Sequence, residues 1–253
     1  MHKFNSAGVE IAFEEAGQGF PILLIHGFAS NGRVNWWDTG WVKTLVEAGH
    51  RVITFDHRGH GQSEKLYDPA RYPAAEMAED AVRLLDHLGI GQADVMGYSM
   101  GARVSAFLTL AHPDRVRRAV FAGLASRMIT GVGGAEAIAK ALEAEEARDV
   151  TDPGARAFRL FADQTRSDRK ALAACIRSSR EKISAEELSH ISVPVLVVAG
   201  EKDDVAGDVE TLVEAIPGAR GVVLANRNHM NAVGDRVYKE AVLAFLSDEV
   251  RRP

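Results

Sequence analysis

At 253 residues, 46% hydrophobic and 26% charged, the chain is long enough for one sizeable core and has the make-up of an ordinary globular protein. Its 30 Lys and Arg against 35 Asp and Glu leave a net charge of -5 with no long basic run, which argues against nucleic acid as a partner. No apolar run approaches the roughly 20 residues that a membrane helix needs, the opening Met1-His2-Lys3-Phe4-Asn5 is unlike a signal peptide, and Cys175 stands alone, so the cytoplasm is the expected compartment.

In chain order, residues 9–15 and 21–25 read as strands joined through Gly17-Gln18-Gly19, an opening that predicts a hairpin. A helix at 41–48, closed by Gly49, precedes a buried strand at 51–55. Met77, Ala81, Leu84, Leu85 and Leu88 recur at helical spacing, and Gly89 ends that helix. A strand at 93–97, a helix at 100–111 stopped by Pro113, and a strand at 116–122 follow.

From about 127 to 190 the composition shifts to Ala, Glu and Arg without strand signals, which predicts a helical insertion. Its start signals are Asp152-Pro153, Ser167, and Ser184 with Glu187 as a capping box. The amphipathic pairs Ile138 and Leu142, Phe158 and Phe161, and Leu172 and Ile176 need a surface to cover, so a lid is expected, with Gly131-Val132-Gly133-Gly134 as its hinge. Strand and helix then alternate again through 195–199, 209–215, 221–224 and 237–246. The alternation predicts one α/β domain over 1–253, with a mostly parallel central sheet, helices on both faces and a lid insertion at about 127–190.

Gly97-Tyr98-Ser99-Met100-Gly101 lies between a predicted strand and a predicted helix, the setting in which G-x-S-x-G turns a serine sharply out of the sheet. Such a turn needs strained torsions and close helix approach, so the flanking positions must lack a Cβ. A serine hydroxyl is a poor nucleophile unless a base takes its proton and a carboxylate orients the base. Asp203 sits just past the strand at 195–199, and His229 follows the strand at 221–224, giving the order Ser, Asp, His.

With these residues assembled, the chain resembles the α/β-hydrolase superfamily over 20–126 and 191–246. His26-Gly27-Phe28 is similar to the family's oxyanion loop, which implies that the Phe28 and Met100 N–H groups form the oxyanion hole. Asp56-His57-Arg58-Gly59-His60-Gly61-Gln62-Ser63 resembles its D-x-R-G-x-G-x-S turn, and 193–200 resembles the strand that presents the acid. The chain departs from the pattern in two places: Asp204, not Pro, follows Asp203, which leaves Asp204 as a rival acid, and Asn228, not Gly, precedes the base. The resemblance implies a serine hydrolase that needs no cofactor, cleaves a small to medium carboxylic ester through an acyl-enzyme and loses activity in acid. Lactonase, thioesterase, C–C bond hydrolase and perhydrolase chemistry stay open on the same triad, as does a ligand-sensing protein that does not turn over. A serine nucleophile argues against haloalkane dehalogenase and epoxide hydrolase.

Other residues have blander readings. His26 is expected to order the oxyanion loop, and His57 and His60 to shape a turn, because no third convergent ligand stands near to hold a metal. His50, His87, His112 and His190 fall at element ends, and Cys175 reads as a small buried residue. Trp36, Trp37 and Trp41 follow the oxyanion loop, where Trp36 and Trp37 are candidates for the substrate pocket and packing against the sheet is the alternative.

Overall fold

The computed structural model describes residues 1–247. Eight strands, β1 (His2–Ser6), β2 (Val9–Ala16), β3 (Phe20–Ile25), β4 (His50–Phe55), β5 (Ala93–Tyr98), β6 (Val116–Ala122), β7 (Val195–Gly200) and β8 (Arg220–Leu224), form one sheet in the order β1-β2-β4-β3-β5-β6-β7-β8. β1 and β2 pair antiparallel, β2 joins β4 antiparallel, and every later pairing is parallel.

The expected hairpin at 9–25 does not form, because β4 lies between β2 and β3. Gly17 and Gly19 (φ 76° and 110°) instead carry the chain across the start of β4, where a Cβ on Gly19 would collide with the Gly49 carbonyl. β1, at the sheet edge, has no counterpart among the strands read from the sequence.

The apolar strands divide by the two-residue period of a pleat. Leu23, Ile25, Ile53, Val95 and Phe121 face one core, and Ile22, Leu24, Val52, Met96 and Val120 face the other. The first core is covered by α2 (Ala74–His87) and α3 (Met100–Ala111), while α1 (Trp41–Glu47) covers the second. Between β6 and β7 come α4 (Arg127–Thr130), α5 (Ala135–Glu143), α6 (Pro153–Gln164), α7 (Arg169–Ser178) and α8 (Ala185–Leu188). After β7, α9 (Val209–Ala215) joins the first core and α10 (Arg236–Ser247) the second.

Asp152 caps α6 through the Ala155 N–H at 2.7 Å, and the Ser184/Glu187 capping box opens α8. The cap of α7 is Asp168, which accepts from the Ala171 N–H at 3.0 Å, rather than Ser167. Among the described residues no helix is long and apolar enough to cross a membrane.

Candidate active site

Ser99 lies between the end of β5 and the first residue of α3, with φ 57° and ψ -113°. The flanking glycines explain how the chain reaches that conformation. A Cβ on Gly97 would strike the Gly101 carbonyl, and one on Gly101 would strike the Ile25 carbonyl, so the turn closes only where both side chains are missing. The Ser99 N–H donates to the Ala122 carbonyl at 2.7 Å, which fixes the turn to β6.

Asp203 follows β7 and is held by the Val205 and Ala206 N–H groups, which donate to its Oδ1 at 3.1 and 2.9 Å. His229 follows β8. Its Nδ1 lies 3.0 and 2.9 Å from the two Asp203 carboxylate oxygens, and its Nε2 lies 3.0 Å from Ser99 Oγ. A carboxylate only accepts, so the proton sits on Nδ1, and Nε2 is left to accept from the serine hydroxyl. Asp203 rather than Asp204 makes this contact, and Asp204 is exposed. At Asn228, Oδ1 accepts from the Met230 and Asn231 N–H groups at 3.0 Å each, so the side chain organises the turn that carries His229. The Tyr98 hydroxyl donates to the His229 carbonyl at 2.6 Å and anchors that turn to β5.

Phe28 lies beside Ser99, and both line the same cavities. A side chain at position 27 would be tight, with its Cβ 3.2 Å from the Tyr98 carbonyl oxygen and 3.4 Å from the Ser99 Cβ. Met100 is the first residue of α3, where a helix leaves its backbone N–H without an intrahelical acceptor. The loop is tied from behind: the Gly27 N–H donates to Asn35 Oδ1 at 3.1 Å, His26 Nδ1 donates to the Gly27 carbonyl at 2.8 Å, and the His57 N–H donates to His26 Nε2 at 3.0 Å.

The Asp56–Ser63 turn is built from structural bonds. Asp56 accepts from the Gly32 and Gln62 N–H groups at 2.8 and 2.7 Å, and Arg58 grips Asp80 through two bonds at 2.7 and 2.8 Å. The rings of His26, His57 and His60 pack together in its centre, fully buried. Burial disfavours their charged forms, lowering His26 to about 4 and His60 to about 3 and pulling His57 well down. No group of three metal-ligating side chains occurs among the described residues.

A cavity of about 480 Å³ opens over Ser99 and His229, walled by Phe28, Val34, Tyr98, Ala157, Phe158, Phe161, Met230 and Val233. Its roof comes from α6, and Phe158 packs against Phe28 with ring centroids 5.8 Å apart. Thr165 Oγ1 donates to the Ala29 carbonyl at 3.0 Å, tying the end of α6 to the loop after β3. Trp36 and Trp37, the sequence candidates for this pocket, are not among its lining residues. Trp36 is fully buried in the core under α1, edge-on to Trp41, and Trp37 lies partly exposed with Nε1 3.3 Å from Thr54 Oγ1. Both rings belong to a one-turn π-helix at Arg33–Trp37, an element that aromatic content does not announce.

A second, smaller cavity that Ser99 also lines is bounded by Arg103 and Arg180, which sequence reading passed over. The signal was there for Arg103: an arginine inside the run Gly101-Ala102-Arg103-Val104-Ser105-Ala106, on a helix otherwise made for burial.

A family profile described as alpha/beta hydrolase fold matches residues 21–154. A 2-hydroxymuconate semialdehyde hydrolase of Pseudomonas sp. (strain CF600) is 38% identical over 120 residues, 47% of this chain and 42% of the relative, so the match spans less than half of that protein. The 3-oxoadipate enol-lactonase 2 of Acinetobacter baylyi is 28% identical over 216 residues, covering 77% of this chain and 78% of its own. Among solved structures, a hydrolase from Pseudomonas aeruginosa PA01 superposes with a TM-score of 0.82 at 28% identity over 98% of both chains. The chain belongs to the α/β-hydrolase family.

Proposed function

We propose that the protein is a serine hydrolase that cleaves small to medium carboxylic esters through an acyl-enzyme. The observation that carries this reading is the unbroken hydrogen-bonded relay from Ser99 Oγ through His229 to Asp203. Ser99 Oγ attacks the acyl carbon while His229 Nε2 takes its proton and returns it to the leaving alcohol. Water, deprotonated by the same nitrogen, then releases the acid. Asp203 keeps the imidazole in the required tautomer and stabilises its charged form. The N–H groups of Phe28 and Met100 receive the oxyanion, each supplying about 3 kcal/mol of barrier lowering. The 480 Å³ cavity with its apolar wall suits a substrate of modest size.

The test is steady-state hydrolysis of p-nitrophenyl esters from acetate to palmitate by wild type and Ser99→Ala. Repeated turnover that vanishes in the variant supports the reading, with an optimum among the shorter chains. No turnover above background by wild type removes simple esters. The names of the two relatives then favour a second reading on the same triad, hydrolysis of a C–C bond next to a ketone or of an enol lactone.

A further inference from the structure

We infer that Arg103 and Arg180 form a carboxylate-binding subsite beside Ser99, so that the substrate carries an acid group on one arm. This deepens the serine hydrolase reading and rests on it for the identity of the reacting group, although the binding site itself does not. The two guanidinium groups come from different parts of the chain, Arg103 from α3 one turn after the nucleophile and Arg180 from the segment after α7. They converge on a cavity of about 30 Å³ that Ser99 also lines. That volume holds roughly two waters, which is the size of one carboxylate.

Buried guanidinium groups elsewhere in the molecule show what is missing here. Arg58 is 2% exposed and makes two hydrogen bonds to Asp80 and one to Glu76. Arg103 is equally buried, yet its hydrogen bond runs from Nη1 to the Glu181 carbonyl, and Arg180 Nη1 donates to the Val132 and Gly133 carbonyls. Among the described residues neither forms an ion pair. Glu181, whose charge acts on Arg103 from a distance, turns its carboxylate to the Ala74 N–H at 2.6 Å. The neighbouring Cys175 thiol is pushed up to about 12 by burial and stays neutral at physiological pH.

Burial, joined at Arg103 by repulsion from Arg180, pulls each arginine down to about 10, so both remain cations at pH 7. Arg103 is buried and Arg180 half-buried, Glu181 acts on Arg103 only from a distance, and a planar carboxylate with two acceptor oxygens is the group that would relieve two such neighbouring cations. The larger cavity, whose titratable lining side chains are His229 and Tyr98, receives the apolar arm.

The experiment uses esters matched in shape, in which an acetyl group replaces the carboxylate. Monoethyl succinate is paired with ethyl levulinate, and acetoxyacetic acid with acetoxyacetone, so that the acid is placed on either arm. Binding to Ser99→Ala is measured by calorimetry, and hydrolysis by wild type is followed in a pH-stat. The expected result is at least tenfold tighter binding of the acid in one of the pairs. Arg180→Gln in the Ser99→Ala background should cut that ratio at least fivefold, and Arg103→Lys, which keeps the charge but loses the fork, should cut it less. Lys170→Gln, which removes an exposed charge from the same insertion, leaves it unchanged. A ratio below tenfold in both pairs, or one that Arg180→Gln reduces less than fivefold in a variant with native circular dichroism, overturns the subsite. An acid preference that depends on Arg180 without turnover of any ester keeps the subsite and removes the ester hydrolase reading. Turnover without acid preference does the reverse.

Discussion

Two groups of histidines lie within the same end of the sheet and behave as different chemical materials. His229 has a side chain 16% exposed, with a carboxylate at one ring nitrogen and a hydroxyl at the other, so each change of its protonation has somewhere to go. His26, His57 and His60 are sealed off, and no carboxylate accepts from their rings among the described residues. Burial holds all three neutral. An imidazole becomes a proton carrier only where its charged form has a partner, and without one it is a rigid spacer with a hydrogen-bond donor and an acceptor. Here the spacers pack behind the Gly27–Phe28 loop that lies beside Ser99, the hydroxyl that His229 contacts.

The contrast breaks most sharply at His229 itself. His229→Ala should lower kcat on a reactive ester by about 10⁶-fold while His26→Asn leaves a measurable rate, because only the first removes the proton acceptor. Equal losses in both, at matched folded fraction, would erase the distinction. Asp203→Asn keeps a hydrogen-bonding side chain but no longer fixes the tautomer, and kcat should fall about 10⁴-fold with KM little changed. A loss under tenfold would shift the orienting role to another acid.

The buried group should declare itself in stability. Its folded pKa values lie below the unfolded value of about 6.5, so its stabilisation is complete above that pH and is lost as pH falls toward about 4 and 3. In that window each ring contributes up to about 1.4 kcal/mol per pH unit, and Tm should drop steeply between pH 6.5 and 5. His57→Leu should make the drop shallower by about a third. A Tm flat from pH 7 to 5 would mean that the rings are hydrated in solution. The smallest effect is expected at Tyr98→Phe, which frees the turn carrying His229: kcat should fall about tenfold, with the acid limb of stability unmoved.

Much of this was legible in the chain because the decisive features are local. A serine between two glycines at a strand end, an acid just after one late strand and a histidine after the last need no knowledge of packing. Departures from the family pattern were legible only as departures. Asn228 turned out to accept through its side chain from two N–H groups of the turn that carries His229, and of Asp203 and Asp204 it is Asp203 that two N–H groups hold inward. The readings that failed depended on which neighbour a segment meets. β2 and β3 look like partners until β4 enters between them, and Trp36 looks like a pocket wall until its helix turns it under α1. The pairing of Arg103 with Arg180, 77 residues apart (180 - 103), could not be seen before the insertion was folded back over the sheet.

The backbone of Ser99, at φ 57° and ψ -113°, carries a further consequence. Glycine is the residue that adopts such torsions at least cost, so Ser99→Gly should yield an inert protein that is about 1 kcal/mol more stable, its relief of strain partly offset by added freedom in the unfolded chain. At this one position the drift toward a sturdier molecule and the drift toward a silent one run in the same direction. Only the demand for turnover opposes both, which makes a glycine at 99 the natural mark of a descendant that has kept the scaffold and given up the reaction.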